Sequence, residues 1–190
     1  MLFLVRHGQT QENAAGLVQG QMDGTLSKVG MEEVRALAYV LREDTFDRVY
    51  SSDLLRARQT AEILVEQLDC NGLLTDPRLR EQGFGIYEGK PLFRLLRKLR
   101  DERTQISDFT PEGGETPSDF IFRVREFYTE CLSKSFDGAN LMVVTHYGVI
   151  RILLEELMGI SAAQESIHNA SYYKIDNCSR GGFRIVHSGR

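Results

Sequence analysis

The chain has 190 residues, of which 42% are hydrophobic and 26% are charged, a composition typical of a folded globular domain rather than a disordered segment. With a formal net charge of −4 it lacks the basic excess of nucleic-acid-binding proteins, and no apolar run is long enough to cross a membrane. Its three cysteines have no CxxC spacing and favour a reducing compartment, so we expect a cytoplasmic protein that binds neither nucleic acid nor membrane.

The predicted elements alternate between strands and helices from the start of the chain. Leu2–Val5 is apolar throughout, as expected of a buried strand, and residues 31–41 repeat apolar side chains at helical spacing. A second strand is predicted at Phe46–Tyr50, and Ser52 or Asp53 can cap the helix that follows it.

The same alternation continues through the second half of the chain. The predicted elements there are a helix at Leu92–Arg103, a loop at Gln105–Gly114, a helix through Phe120 and Phe127 that begins at Thr116 or Ser118, a strand at Leu141–Thr145, a helix at Val149–Met158, and closing strands at Tyr172–Ile175 and Phe183–Val186. Alternating strands and helices predict an α/β fold: a three-layer α/β/α sandwich around a mostly parallel sheet, in a single domain over residues 1–190.

Histidines follow two of the predicted buried strands. His7 comes directly after Leu2–Val5 and Arg6, and His146 comes directly after Leu141–Thr145. Active sites of open α/β sheets lie beyond the carboxyl ends of the strands. The two histidines lie 139 positions apart in the sequence, from 7 to 146, and they become neighbours if their strands are adjacent in the sheet.

These residue types suit hydrolysis of a phosphate ester. A neutral imidazole such as that of His7 can attack phosphorus and form a phosphohistidine, and guanidinium groups bind the anionic oxygens. Arg6 is adjacent to His7, and Arg56 is predicted in the first turn of a helix. A carboxylic acid must protonate the leaving oxygen. Glu81, between a probable strand and a glycine-rich loop, is the best placed, although each of these residues taken alone is also compatible with a structural role.

Five ordered sequence blocks resemble the histidine phosphatase superfamily, also called phosphoglycerate mutase-like, over nearly the whole chain. The first block is Arg6-His7-Gly8-Gln9-Thr10 with Asn13, Gln19-Gly20, Asp23, Leu26 and Gly30, and the second is Ser51-Ser52-Asp53-Leu54-Leu55-Arg56-Ala57-Arg58-Gln59-Thr60-Ala61. The others are Leu79-Arg80-Glu81 with Gly85 and Tyr87-Glu88-Gly89, Gly113-Gly114-Glu115-Thr116, and Val143-Val144-Thr145-His146. The resemblance implies the phosphoglycerate mutase-like fold.

The resemblance also implies roles for individual residues of the site. His7 is then the phosphorylated histidine, Arg6, Arg56 and His146 complete the phosphate pocket, and Glu81 is the proton donor. No metal and no cofactor is implied, and the four histidines form no HxxH or HxH pair.

Further residues are expected at the rim of the pocket as substrate-binding groups. These are Asn13, Gln19, Gly20, Tyr147 and Lys90. Several have a second interpretation: Gln19 and Gly20 fit a plain turn, and Lys90 fits a solvated side chain rather than a contact to a second phosphate. Tyr147 stands where the family usually has glycine, so its side chain either crowds the phosphate-facing backbone or projects away from it. Glu115 either approaches the substrate or fixes a loop.

The function expected from the resemblance is a metal-independent phosphatase for a small phosphorylated metabolite, similar to fructose-2,6-bisphosphatase-like and broad-specificity phosphatases. A phosphoglycerate mutase is the alternative enzyme, but mutases of this family often have tyrosine where this chain has Phe84 and carry extra segments that cover the site. Only 24 residues separate Glu88 from Gly113. A non-catalytic phospholigand-binding protein on the same fold is the third hypothesis, and Tyr147 is the feature that favours it.

Overall fold

The computed structural model describes residues 1–70, 72–133, 138–161, 167–178 and 182–189, and the strands among them form one six-stranded sheet. The strands are β1 (Leu2–Arg6), β2 (Arg48–Ser51), β3 (Leu73–Thr75), β4 (Leu141–Thr145), β5 (Tyr172–Cys178) and β6 (Gly182–Gly189). Their order is β3-β2-β4-β1-β5-β6. The first four strands in this order are parallel, whereas β5 and β6 are antiparallel, so the prediction of a mostly parallel sheet is confirmed.

Helices cover both faces of the sheet. They are α1 (Gln11–Ala14), α2 (Lys28–Leu41), α3 (Leu55–Gln67), α4 (Leu92–Glu102), α5 (Pro117–Phe127) and α6 (Tyr147–Arg151). The last two continue as π-helical segments at Tyr128–Leu132 and Ile152–Leu157. Shorter 3₁₀ turns include Pro77–Leu79, just before Glu81, and Ile106–Asp108, which lies within the predicted loop Gln105–Gly114.

The central strands β1 and β4 are continuous apolar runs because both of their faces are buried. Leu2 and Leu4 point into one hydrophobic cluster with residues of α5 and α6, whereas Phe3 and Val5 point into the opposite cluster with residues of α2 and α3. This alternation of successive side chains across the sheet produces two separate cores. The predicted three-layer α/β/α arrangement is therefore confirmed.

The helix boundaries differ from the predictions at two places that belong to the site. Neither Ser52 nor Asp53 caps α3, because the helix begins one residue later, after Leu54. The Ser52 hydroxyl is instead hydrogen-bonded to His146, and the Asp53 carboxylate is paired with Arg80 at 2.6 Å. The last predicted helix begins at Tyr147 rather than Val149, directly after the second histidine. Of the two proposed caps for α5, Thr116 is the one that accepts a hydrogen bond, from Asp119 N–H at 3.1 Å.

A third and smaller hydrophobic cluster lies beside the ends of β1 and β4. It contains Leu95 and Leu99 of α4, which pack against Val18, Phe84 and Phe109. The four-residue spacing of the two leucines is the spacing that places them on one face of a helix. This cluster fixes α4 as a wall of the cavity that holds the predicted site residues. In the described part of the chain no helix is both long and apolar enough to cross a membrane.

Candidate active site

The two histidines of the resemblance lie side by side at the carboxyl ends of adjacent parallel strands. β1 pairs with β4 in a register that places Arg6 opposite Thr145, so the next residue of each strand is a histidine. The ring centroids of His7 and His146 are 5.2 Å apart. The prediction that these residues become neighbours through adjacent strands is confirmed.

His7 is held in one orientation by its own backbone. Its ring is 3% exposed, and its Nδ1 atom lies 2.8 Å from the Gly8 carbonyl oxygen. Because a carbonyl can only accept, Nδ1 carries the proton, and in the neutral ring Nε2 keeps its lone pair. Burial, together with the positive charges of Arg56 and Arg6, holds the pKa of His7 well below its usual value. The ring is thus neutral near pH 7, as a nucleophile must be.

His146 is fully buried and is hydrogen-bonded to Ser52, the residue that follows the neighbouring strand β2. Its Nε2 atom lies 2.9 Å from the Ser52 hydroxyl oxygen, which also accepts a hydrogen bond from Leu54 N–H at 3.3 Å. When the Ser52 hydroxyl donates to Nε2, the neutral ring carries its proton on Nδ1. Burial, followed by the charge of Arg56, keeps the pKa of His146 well below its usual value.

Two arginines surround the histidines and are fixed by backbone carbonyls. Arg56, in the first turn of α3 and 1% exposed, donates to the carbonyls of Gly20 and Met22 at 2.7 and 2.9 Å. Burial lowers its pKa to about 10, so it remains charged at neutral pH. Arg6 donates to the Ile167 carbonyl at 2.7 Å, and burial lowers its pKa as well. Among the described residues, the hydrogen-bond acceptors of both guanidinium groups are backbone carbonyls, and no carboxylate is hydrogen-bonded to either group.

Unpaired buried polar atoms concentrate at this place. The described residues contain four such side-chain atoms: Arg6 Nε, Glu12 Oε2, Arg56 Nε and His146 Nδ1. An unsatisfied buried donor costs about 1–3 kcal/mol. Two of the three donors belong to Arg6 and Arg56, which line the cavity, and the third belongs to His146 beside His7, so they indicate a ligand that supplies acceptors. A tetrahedral oxyanion such as a phosphoryl group provides such acceptors, and the two positive charges complement its charge.

Glu81 is positioned by two backbone amides. Its Oε1 atom accepts from Gln82 N–H at 3.0 Å, and its Oε2 atom accepts from Gly148 N–H at 3.1 Å. A Cβ atom at Gly148 would collide with the Glu81 carboxylate and lie 2.9 Å from the Phe120 ring. The glycine that this chain carries one position later than the family pattern therefore makes room for the predicted proton donor.

Arg123 fixes the irregular segment that carries Glu81. Its guanidinium donates to the carbonyls of Arg78, Arg80 and Glu81 at 2.6 to 2.9 Å and is paired with both carboxylate oxygens of Glu115. Glu115 in turn accepts from Gly83 N–H at 3.3 Å. Of the two roles considered for Glu115, the structure places it in the one that fixes a loop.

The cavity has a volume of about 550 Å³ and is lined by Arg6, His7, Arg56 and Glu81, whereas the buried His146 is not among the residues that line it. Four of the five predicted rim residues also line it: Asn13, Gln19, Gly20 and Tyr147. Gly20 has φ +53, and a side chain there would collide with Glu88, so glycine is required at this turn. The buried Gln19 amide oxygen accepts from Thr10 Oγ1 at 3.0 Å. Lys90, the fifth predicted rim residue, is exposed and is not among the residues that line the cavity. The structure therefore does not bring it together with the other predicted site residues.

Tyr147, the departure from the family pattern, projects along the cavity wall. It is 42% exposed, and its ring centroid lies 5.7 Å from the guanidinium carbon of Arg6. A ring at this distance from a guanidinium forms a weak cation–π contact. The side chain therefore borders the arginine rather than filling the space between His7 and His146.

Several supporting residues were not predicted from the sequence. Ser52 belongs to a motif block but was interpreted as a helix cap, and its bond to His146 joins two strand ends that are remote in sequence. Asn169 donates to the His7 carbonyl at 3.1 Å, and Thr60 accepts from Gly8 N–H at 3.1 Å. Asn169 belongs to no motif block, and Thr60 belongs to the second block, which assigned it no role. Arg123 also had no signal, because its partners are backbone carbonyls of a distant loop.

The described residues contain no group of three or more histidine, cysteine, aspartate or glutamate side chains arranged to hold a metal ion. The metal independence of the site remains a prediction, which rests on the charge that Arg6 and Arg56 supply.

Known proteins resemble this chain over almost its whole length. The model of the histidine phosphatase superfamily (branch 1) matches residues 2–189. A Serratia proteamaculans protein named probable phosphoglycerate mutase GpmB is 33% identical over 183 residues, which cover 93% of this chain and 84% of that protein.

Two solved structures have the same fold. The mycobacterial glucosyl-3-phosphoglycerate phosphatase in complex with VO3 has a TM-score of 0.84 and 27% identity, covering 98% of this chain and 97% of that one. A putative alpha-ribazole-5'-P phosphatase from Escherichia coli has a TM-score of 0.80 and 29% identity, covering 97% and 94%. The predicted phosphoglycerate mutase-like fold is confirmed, and the chain belongs to the histidine phosphatase superfamily, branch 1.

Proposed function

We propose that this protein is a metal-independent phosphatase that hydrolyses a small phosphorylated metabolite through a phosphohistidine on His7. One observation carries the proposal: a buried, neutral His7 with an unprotonated Nε2 shares a cavity with two charged arginines that have unpaired donors. A neutral nucleophile and an anion site are the two requirements for in-line attack on a phosphate monoester.

The first step transfers the phosphoryl group to the protein. His7 Nε2 attacks phosphorus, the bond between phosphorus and the ester oxygen breaks, and the acid form of Glu81 gives its proton to the leaving alcohol. Arg6 and Arg56 stabilise the charge on the equatorial oxygens, and His146 Nδ1–H contributes a further donor. In the second step, water attacks the phosphohistidine, Glu81 accepts its proton, and inorganic phosphate leaves as His7 returns to its starting state.

A phosphoglycerate mutase is the second candidate, because the curated relatives are named as probable enzymes of that kind. Two features support the phosphatase instead. Phe84 lines the cavity as part of an apolar cluster and has no hydroxyl group to offer a sugar acid. Two of the solved relatives are named as phosphatases, of glucosyl-3-phosphoglycerate and of alpha-ribazole phosphate, whereas another, from Bacillus anthracis, is named a phosphoglycerate mutase.

The experiment compares hydrolysis with transfer. Purified protein is given phenyl phosphate and, separately, 3-phosphoglycerate, and both inorganic phosphate and 2-phosphoglycerate are measured over time. We expect steady phosphate release that disappears in His7→Ala. Fast interconversion of the two phosphoglycerates with little phosphate release would favour the mutase. Tight vanadate binding without turnover of any phosphate ester would favour the non-catalytic binding protein.

A further inference from the structure

The end of the cavity that contains Arg6, His7 and Arg56 is called the phosphate end. From there the cavity extends along one face of α6 and its π-helical continuation. Tyr147, Arg151 and Glu155 all line it, and their spacing of four residues places them on a common helix face. Tyr147 borders Arg6 at the phosphate end. Arg151 lies one turn further out, about 6 Å along the helix axis from Tyr147. This face therefore meets the part of a substrate that is not the phosphoryl group.

Another part of the cavity wall is apolar. Leu92, Leu95 and Leu96 of α4 line it, together with Leu17 and Ile106. Apolar side chains of this kind favour an apolar ligand group, because contact between the two removes both surfaces from water. The leaving alcohol of a well-bound substrate therefore has an apolar body.

The helix face that carries Tyr147, Arg151 and Glu155, called the polar wall, contains an ion pair that faces the cavity. Arg151 Nη2 and Glu155 Oε2 are 2.7 Å apart, with side chains 32% and 27% exposed. The hydrogen bond to Glu155 is the largest cause of the raised pKa of Arg151. Glu156 adds a second carboxylate to the lining. Among the described residues that line the cavity, the other lysine or arginine side chains are Arg6 and Arg56, both at the phosphate end.

The second anionic group of a doubly charged substrate finds no unpaired cation on this wall. Its carboxylate or phosphate would meet two carboxylates and a guanidinium already neutralised by one of them. Bringing an anion there requires either breaking the pair of Arg151 with Glu155 or leaving the anion unpaired in a partly desolvated cavity.

We propose that Glu155 is a specificity-determining residue: by engaging Arg151 it restricts the site to phosphate monoesters whose alcohol is apolar and carries no second anionic group. The proposal names the substrate class of the phosphatase proposed above and rests on that function. It also separates the preferred substrates from phosphoglycerates, whose carboxylate is such a second anion.

Phosphonates test the wall without turnover, because their phosphorus–carbon bond is not hydrolysed. Binding of hexylphosphonate and of the same chain ending in a carboxylate is measured by calorimetry. We expect the wild-type protein to bind the carboxylate-ended chain about two- to fivefold more weakly. In Glu155→Gln, Arg151 loses its anionic partner, so the carboxylate-ended chain should bind about two- to fivefold more tightly than to wild type, with hexylphosphonate unchanged.

Two control variants make the result specific. Glu66→Gln removes an exposed carboxylate of α3 that does not line the cavity, and it should change neither affinity. In an Arg151→Gln background, Glu155→Gln should give a smaller gain in binding of the carboxylate-ended chain than in the wild-type background, because it removes a repelling carboxylate but liberates no cation. A gain of binding in the single variant cannot arise from unfolding.

Equal affinity of the wild-type protein for both phosphonates, or no gain in Glu155→Gln, would overturn the proposal. Turnover is measured separately with hexyl phosphate. Absence of phosphate release together with the expected binding series would refute the phosphatase and leave the role of Glu155 standing.

Discussion

Gly148 offers a direct test of the position of Glu81. It lies in the first turn of α6, and a Cβ atom there would fall far inside van der Waals contact with Glu81 Oε1 and 2.9 Å from Phe120 Cε1. Since non-bonded atoms separate to about 3.5 Å, the Glu81 carboxylate in Gly148→Ala must move by about 1 Å. The carboxylate is the mobile end of its side chain, so it gives way more easily than the ring.

The expected effects on stability and on activity differ in size. Alanine is favoured over glycine in a helix by about 1 kcal/mol. Overpacking against the Phe120 ring costs about 1–3 kcal/mol, so the net loss in free energy of unfolding should stay below about 2 kcal/mol. A catalytic group displaced by about 1 Å can lose about 10²-fold in rate, so turnover of an alkyl phosphate should fall by about that factor.

The assay measures kcat/KM of Gly148→Ala on an alkyl phosphate and on p-nitrophenyl phosphate, together with urea unfolding. The activated ester should lose much less, because its leaving group needs little protonation. Gly182→Ala is the matched control, since a Cβ atom there meets nothing within 4 Å. Full activity of Gly148→Ala on the alkyl phosphate would refute the assignment of Glu81 as a positioned proton donor.

Further predictions concern the remaining groups of the site. Rapid quenching with labelled substrate should trap acid-labile, base-stable phosphate on the wild-type protein and none on His7→Ala, and retained turnover in that variant would contradict its assignment. Arg56→Ala should lose about 10²–10³-fold in kcat/KM, whereas Arg58→Ala, which removes an exposed partner of Glu62, should lose little; similar losses would show that Arg56 is wrongly placed. Glu81→Gln should lose about 10²–10⁴-fold on an alkyl phosphate and much less on p-nitrophenyl phosphate, with equal losses indicating a binding role. Activity should survive dialysis against a chelator; complete loss that Mg²⁺ or Zn²⁺ restores would show that a metal is required.

The elements that the sequence predicts best are those with a strong local pattern. Leu2–Val5 and Leu141–Thr145 are recognisable because strands buried on both faces must be apolar throughout. The helix at Leu92–Arg103 is found at almost the same boundaries, since its apolar residues repeat at helical spacing. The core of the site follows from the same strand ends, because His7 and His146 come directly after them.

The parts that escaped prediction depend on contacts between distant residues. Ser52 has the side chain of a helix cap, and no local pattern reveals that a histidine 94 positions later takes its hydroxyl instead. The four residues of α1 are too short for any apolar periodicity. Arg123 sits in an ordinary amphipathic helix, and its bonds to three loop carbonyls exist only after the chain has folded.

The pairing of β1 also determines when the sheet can form during synthesis of the chain. β1 is hydrogen-bonded to β4 on one side and to β5 on the other, and both follow it by more than a hundred residues. At about 5–20 residues per second, a ribosome delivers β4 roughly 7–30 s after β1. Throughout that interval the nascent chain carries an apolar strand without its neighbours, a segment that chaperones bind and that tends to associate with other chains. Because His146 follows β4 in the chain, the proposed site can form only after that strand has been translated.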